Sequence, residues 1–227
     1  MKKFLLSITL IFFFPLKNIA HVDHYSNYNY LEYELFRNGK LIGFHKYKFN
    51  RGNDKLTIFN EVSFKISKFG VDLYKYYAKG EEIYKNGIFV GFNSQTNQNK
   101  KEKYVNITVD NIDKNLIIDG SSYKGKADRS MIIGTWWNHE IVQKKAQISA
   151  VSGRIIEQKV EFLGKEEIKI GNKIYKTLKF NFSSSDPSLS KDKKLNTNIW
   201  YEEDTYLWVK AAFEKTGYWE YRLKKVN

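Results

Sequence analysis

Between Lys55 and Ser67 apolar and polar side chains alternate: Leu56, Ile58, Val62, Phe64 and Ile66 fall on one side, and Thr57, Glu61, Ser63, Lys65 and Ser67 on the other. A period of two is the pleat of a strand with one buried face; on a helix the same residues would be scattered around the axis. The pattern returns at Leu31/Tyr33/Leu35, Val105/Ile107/Val109, Ile156/Val160/Phe162, Leu178/Phe180/Phe182 and Trp219/Tyr221/Leu223. A chain that repeats it this often folds as antiparallel sheet with one face buried.

The punctuation agrees. Asn38-Gly39 and Asn86-Gly87 each separate two alternating runs and supply the positive φ angles of type I′ hairpin turns. Asp119-Gly120, Ser152-Gly153 and Gly171-Asn172 mark further turns. Pro187 lies in a polar stretch, FSSSDPSLSKDKK, which reads as a long surface loop whose Asp186 and serines are turn chemistry. The expectation is a mostly β protein, a curved antiparallel sheet or half-open β-barrel with at most one or two short helices. Whether the sheet closes depends on tilt and register, which this pattern leaves open.

One segment breaks the period. From Gly134 to Ala146 alternation fails and Trp137 to Ile141 takes helical spacing, with Asn138 placed to cap and Glu140 in the first turn. On extended backbone the adjacent Trp136 and Trp137 would face opposite ways.

The first twenty residues read as a secretory signal peptide: Lys2 and Lys3, an apolar run from Phe4 to Phe14, Pro15, then Ala20. The run is too short for a membrane span, which needs about 20 residues. Cleavage near Ala20 would leave residues 21–227 as one exported domain, soluble in the periplasm. Without cysteine, that domain has no disulfide, no thiol catalysis, no thiolate metal site and no lipid-anchoring thiol.

The formal charge is +13. The leader holds three lysines and no acid, so the rest keeps +10. Lysines gather at 100, 101 and 103, at 144 and 145, at 191, 193 and 194, and at 224 and 225, which favours an anionic partner. For an exported chain that partner is a membrane surface or an envelope protein; no aromatic-basic nucleic-acid signature is present.

Catalytic motifs are absent. No G-x-S-x-G turn occurs, and Gly120 to Gly125 has the wrong spacing for one. The pairs Glu81/Glu82, Glu166/Glu167 and Glu202/Glu203 put neighbours on opposite faces of a strand, so none is an acid/base pair, and surface solubility accounts for them. His21, Asp23 and His24 at the expected mature terminus suit copper chemistry only if cleavage follows Ala20, and otherwise read as a frayed end. His45 shares a face with Leu41, Tyr47 and Phe49 and reads as a buried, hydrogen-bonded histidine; His139 is expected to be the more exposed of the two. No catalytic residue, cofactor or metal is assigned.

Several strings in order resemble the landmarks of a bacterial exported family of unknown function, the DUF6134 type, itself distantly similar to periplasmic DUF3108-type proteins. They are Asn38 to His45, Glu82 to Ile88, Trp137-Asn138, Ser152-Gly153-Arg154, Trp200-Tyr201 and Trp208-Val209. The chain departs from that pattern at Ile83, where the family tends to hold tryptophan, and in the loop from Ser183 to Lys194. The resemblance implies a half-open barrel sheltering apolar groups and supplies no catalytic residue. It directs attention to His45, Trp137, Asn138, Tyr201 and Trp208.

Together these readings point to a non-enzymatic periplasmic protein that binds a lipid-like or other apolar ligand or an envelope partner. Its ligand set would be His45, Trp136, Trp137, Asn138, His139, Tyr201 and Trp208. The alternatives are an envelope assembly protein acting through sheet-edge contacts and, third, a hydrolase using His45 or His139.

Overall fold

The computed structural model describes residues 25–191 and 193–227; the expected leader and the His21/His24 segment lie outside the described residues. The first half is a meander of β1 (Tyr30–Arg37), β2 (Lys40–Arg51), β3 (Lys55–Lys68), β4 (Val71–Lys85), β5 (Ile88–Gln98), β6 (Lys101–Val109), β7 (Leu116–Gly120) and β8 (Lys124–Ala127). After β9 (Ile132–Ile133) and β10 (Ala146–Ile148) the second half comprises β11 (Ile155–Ile170), β12 (Lys173–Ser184), β13 (Asn196–Glu202), β14 (Trp208–Glu214) and β15 (Tyr218–Val226). All fifteen join one sheet in the order 8-7-6-5-4-3-2-1-15-14-13-12-11-10-9, and the first and last strands of the chain pair at its middle. Every ladder is antiparallel except β9 with β10.

The connection from β8 to β9 dictates the shape. These strands are the two edges of the sheet, yet only residues 128–131 join them. Laid flat, fifteen strands would separate the edges by roughly 67 Å, whereas such a link reaches about 18 Å. The sheet therefore rolls on itself. No ladder joins β8 to β9; the seam is made by the turn after β10, where Ser152 O accepts from Ser122 N at 2.8 Å and Ala150 O accepts from Ser94 Oγ at 2.6 Å. Gly120 allows that approach: a Cβ there would lie 2.7 Å from Ser152 O and 3.0 Å from the Gly153 Cα.

Alternation holds as the pattern requires. Leu31, Tyr33 and Leu35 of β1, Tyr47 and Phe49 of β2 and Ile199 and Tyr201 of β13 are buried inside the roll. Near the seam a second apolar group forms from Phe92, Val105, Ile107, Leu116, Ile118, Ile133 and Ile148. The Asn-Gly turns are as expected, with Asn38 at φ 49° and Asn86 at φ 50°. Asp186 Oδ1 accepts from Ser188 N and Oγ, a turn in the loop between β12 and β13. Phe162 departs from its expected inward face: a register shift between Phe162 and Gly164 bends β11 there and leaves the ring half exposed.

Candidate functional site

The aperiodic segment between β9 and β10 is a plug inside the rolled sheet. Two consecutive bonds tighten its start, Thr135 N to Ile133 O and Trp137 N to Thr135 O, both at 2.8 Å. The second encloses Trp136 at φ 61°, a γ-turn of the strained, positive-φ kind. The expected short helix is a 3-10 turn, His139–Gln143, and Asn138 caps it by accepting from Glu140 N at 3.0 Å.

Hydroxyls from the barrel wall grip this turn. Tyr47 of β2 donates to Thr135 O, and Tyr201 of β13 donates to Trp136 O at 2.9 Å. Trp137 is fully buried, and its Nε1 donates to Glu82 Oε2 of β4 at 2.9 Å. Glu82 also accepts from Tyr84 OH at 2.5 Å and Thr135 Oγ1 at 3.3 Å. Burial raises the Glu82 carboxyl above its ordinary range, although all three hydrogen bonds pull the other way. Both tryptophans can thus serve the interior because the γ-turn, not an extended strand, separates them.

Beside the plug, ring faces enclose His45 of β2. Its ring centroid lies 4.4 Å from Tyr47, 5.8 Å from Trp208 and 5.9 Å from Tyr221. Trp208 stacks on Tyr33 at 3.9 Å, and Trp136 meets Trp208 and Tyr221 edge to face at 5.4 and 5.5 Å. Burial holds the His45 imidazole down at about 3, so it is neutral at physiological pH. Its Nδ1 is buried and has no hydrogen-bond partner among the described residues, and the same is true of Trp208 Nε1. The expectation of a hydrogen-bonded His45 is therefore not met at Nδ1. His45, Tyr47, Val62, Ala78, Trp136 and Tyr221 are among the walls of a recess of about 210 Å³, with Lys79 also lining it.

A second recess, of about 180 Å³, lies on the Glu82 side and is lined by Glu82, Tyr84, Phe89, Arg129, Asn138 and Glu140, among others. The ligand set expected from sequence is thus divided. His45 and Trp136 wall the first recess, with Trp208 and Tyr201 behind Trp136; Asn138 lines the second, and Trp137 is the wedge bonded to Glu82. His139 joins neither lining: it is buried like His45, not exposed, because its ring stacks on Tyr206 at 4.4 Å.

Glu82 is the main residue that sequence reasoning misplaced. Surface solubility does not account for it, since it is 1% exposed. A signal was present: adjacent carboxylates on a strand face opposite ways, so one of Glu81 and Glu82 had to face inward, and Glu82 shares the period of Ala78 and Tyr84.

Fold and site together define a barrel-like β protein whose rolled sheet is plugged by its own aromatic turn. A crystal structure described as a beta-barrel-like protein of the domain of unknown function DUF1849, from Brucella abortus, superposes with a TM-score of 0.61. The two are 12% identical, and the match covers 87% of this chain and 96% of that one. The chain belongs to the family described as Domain of unknown function (DUF6134), which matches residues 33–224. No curated protein matches it.

Proposed function

We propose that this protein is a periplasmic binding protein that holds one small apolar group in the recess walled by His45 and Trp136. The lining of the recess carries the reading: Tyr47, Val62, Ala78, Trp136 and Tyr221 bring ring and aliphatic surface together around it, which favours an apolar occupant. The size fits too: an engineered apolar cavity of about 150 Å³ holds benzene, so about 210 Å³ takes a ring or a short length of acyl chain. A lipid-like ligand would enter by one end, with Lys79 available to an anionic head.

Binding fits better than catalysis, because a neutral imidazole without a carboxylate or hydroxyl on its Nδ1 lacks the orienting group of a general base. Assembly through sheet edges is the second reading: β8 spans four residues and β9 two, but β10 covers only Ile155–Glu157 of β11, and past Gln158 the outer side of that strand has no ladder partner among the described residues.

A brominated medium-chain fatty acid tests the proposal through tryptophan fluorescence. Saturable quenching in the native chain, abolished when Val62→Phe fills the recess, is the expected result. Quenching that never saturates, or that Val62→Phe leaves unchanged, would overturn it.

A further inference from the structure

The hairpin between β3 and β4 is longer than the sheet that carries it. Pairing of β2 with β3 ends at Gly43–Phe64, and pairing of β4 with β5 ends at Tyr76–Gln98. Past those pairs residues 65–68 and 71–75 make ladder pairs only with each other, and the base is tied by Asn99 N to Lys75 O at 2.8 Å. The result is a two-stranded finger projecting about 16 Å beyond Phe64.

Its tip is chemically out of place. Phe69-Gly70 forms the turn with φ of 52° and 79°, matching Asn38-Gly39 (49°, 77°), Asn86-Gly87 (50°, 73°) and Asn99-Lys100 (50°, 72°). Three of these four turns put asparagine at the first left-handed position, where it is tolerated, and the fourth puts phenylalanine there, where a bulky side chain is disfavoured. Packing does not explain the choice, because Phe69 is 93% exposed, and Val71 and Leu73 beside it are 61% and 55% exposed.

Charge identifies the partner. Lys68 flanks the apolar tip and Lys65 and Lys75 face each other at the finger's base, while the segment's single acid, Asp72, accepts from Ser67 Oγ at 2.6 Å and pairs with Lys75 at 3.1 Å and Lys65 at 3.8 Å. Lys68 has no ion pair among the described residues; its Nζ sits 5.3 Å over the Phe69 ring. The adjacent turn, at the same end of the sheet, adds Lys100, Lys101 and Lys103. An exposed aromatic and aliphatic tip with lysines beside and behind it matches the interface of an anionic bilayer, where the ring enters the headgroup boundary and the ammonium groups meet phosphates.

We infer that the β3–β4 finger docks the protein on anionic lipid, with Phe69 entering the membrane interface. The inference does not rest on the His45 recess, which is walled in part by Val62, Tyr76 and Ala78 of the same two strands below the finger's base.

Sedimentation of the full chain with phosphatidylglycerol-containing vesicles, against pure phosphatidylcholine vesicles, tests it. The native chain should partition to the anionic vesicles, less so at high salt. Phe69→Asn, and separately Lys65→Gln/Lys68→Gln/Lys75→Gln, should each weaken partitioning by about tenfold or more. Phe69→Trp should shift its emission to the blue on those vesicles only. Equal partitioning to both lipids, no partitioning of the native chain, or a Phe69→Asn chain that binds like the native one would overturn the inference.

Discussion

Trp137 donates its indole N–H to Oε2 of Glu82 at 2.9 Å, with both side chains buried inside the rolled sheet. The contact joins a strand of the first half to a plug that enters between β9 and β10. Among the described residues Glu82 makes no ion pair: it is held by three hydrogen-bond donors, from Tyr84, Trp137 and Thr135. The carboxyl therefore acts as an anchor for the strained turn that sets Trp136 beside the His45 recess.

Glu82→Ala should destabilise the fold by about 3 kcal/mol or more, because three buried donors lose their acceptor together. Glu82→Gln should cost much less: its amide oxygen can still accept from the indole, and its NH2 can donate to Tyr84 OH, which accepts as well as donates. The pH dependence distinguishes the two forms further. With the folded pKa raised above 4.5, the carboxyl's contribution is complete below 4.5 and is lost as pH rises through the raised value. Urea unfolding across pH should show that loss in the native chain and not in Glu82→Gln.

Trp137→Phe and Trp208→Phe remove the same atoms from fully buried sites, yet the costs should differ. At Trp137 the indole N–H serves Glu82, so its removal subtracts a buried hydrogen bond as well as volume. At Trp208 Nε1 has no partner, so its removal relieves a desolvation penalty. Thermal or chemical unfolding should find Trp137→Phe the more damaging by about 1–3 kcal/mol.

The fold was legible for a physical reason. Period-two alternation and Asn-Gly turns are local properties, and Leu31, Tyr33 and Leu35 are buried as that pattern demands. Rolling was less visible, since it follows from β8 and β9 being opposite edges, which needs the strand order. The site was half legible. His45, Trp136, Tyr201 and Trp208 do converge around one plug, but Glu82 meets Trp137 across 55 residues, and no local period reports that contact. His139 was misjudged because the segment has no period from which to read its burial, and Tyr206, which covers it, lies far along the chain.

His45 imposes a slope of opposite origin. Its imidazole ordinarily titrates near 6.5, and burial lowers it to about 3 in the folded chain. The unfolded chain therefore takes up a proton first as pH falls, and the stability due to neutral burial drains away between about 6.5 and about 3. His45→Phe abolishes that term. Its stability should fall less steeply through this window, by up to about 1.4 kcal/mol per pH unit relative to the native chain. Equal slopes in the two chains would show that His45 titrates normally and is not enclosed.

Phe69→Asn should stabilise the protein by about 0.5–1 kcal/mol, part of the left-handed backbone cost that asparagine relieves, while weakening its hold on anionic vesicles. The gain comes from the turn: φ of 52° suits asparagine, as at Asn38, Asn86 and Asn99, and an exposed ring gives up almost no packing when removed. Thermal unfolding of the two chains measures it directly. A residue selected for folding alone would not be improved by this exchange, so a higher melting temperature for Phe69→Asn would mean that stability is given up at the finger's tip. If Phe69→Asn instead lowers the melting temperature, the ring has a packing role in the folded chain.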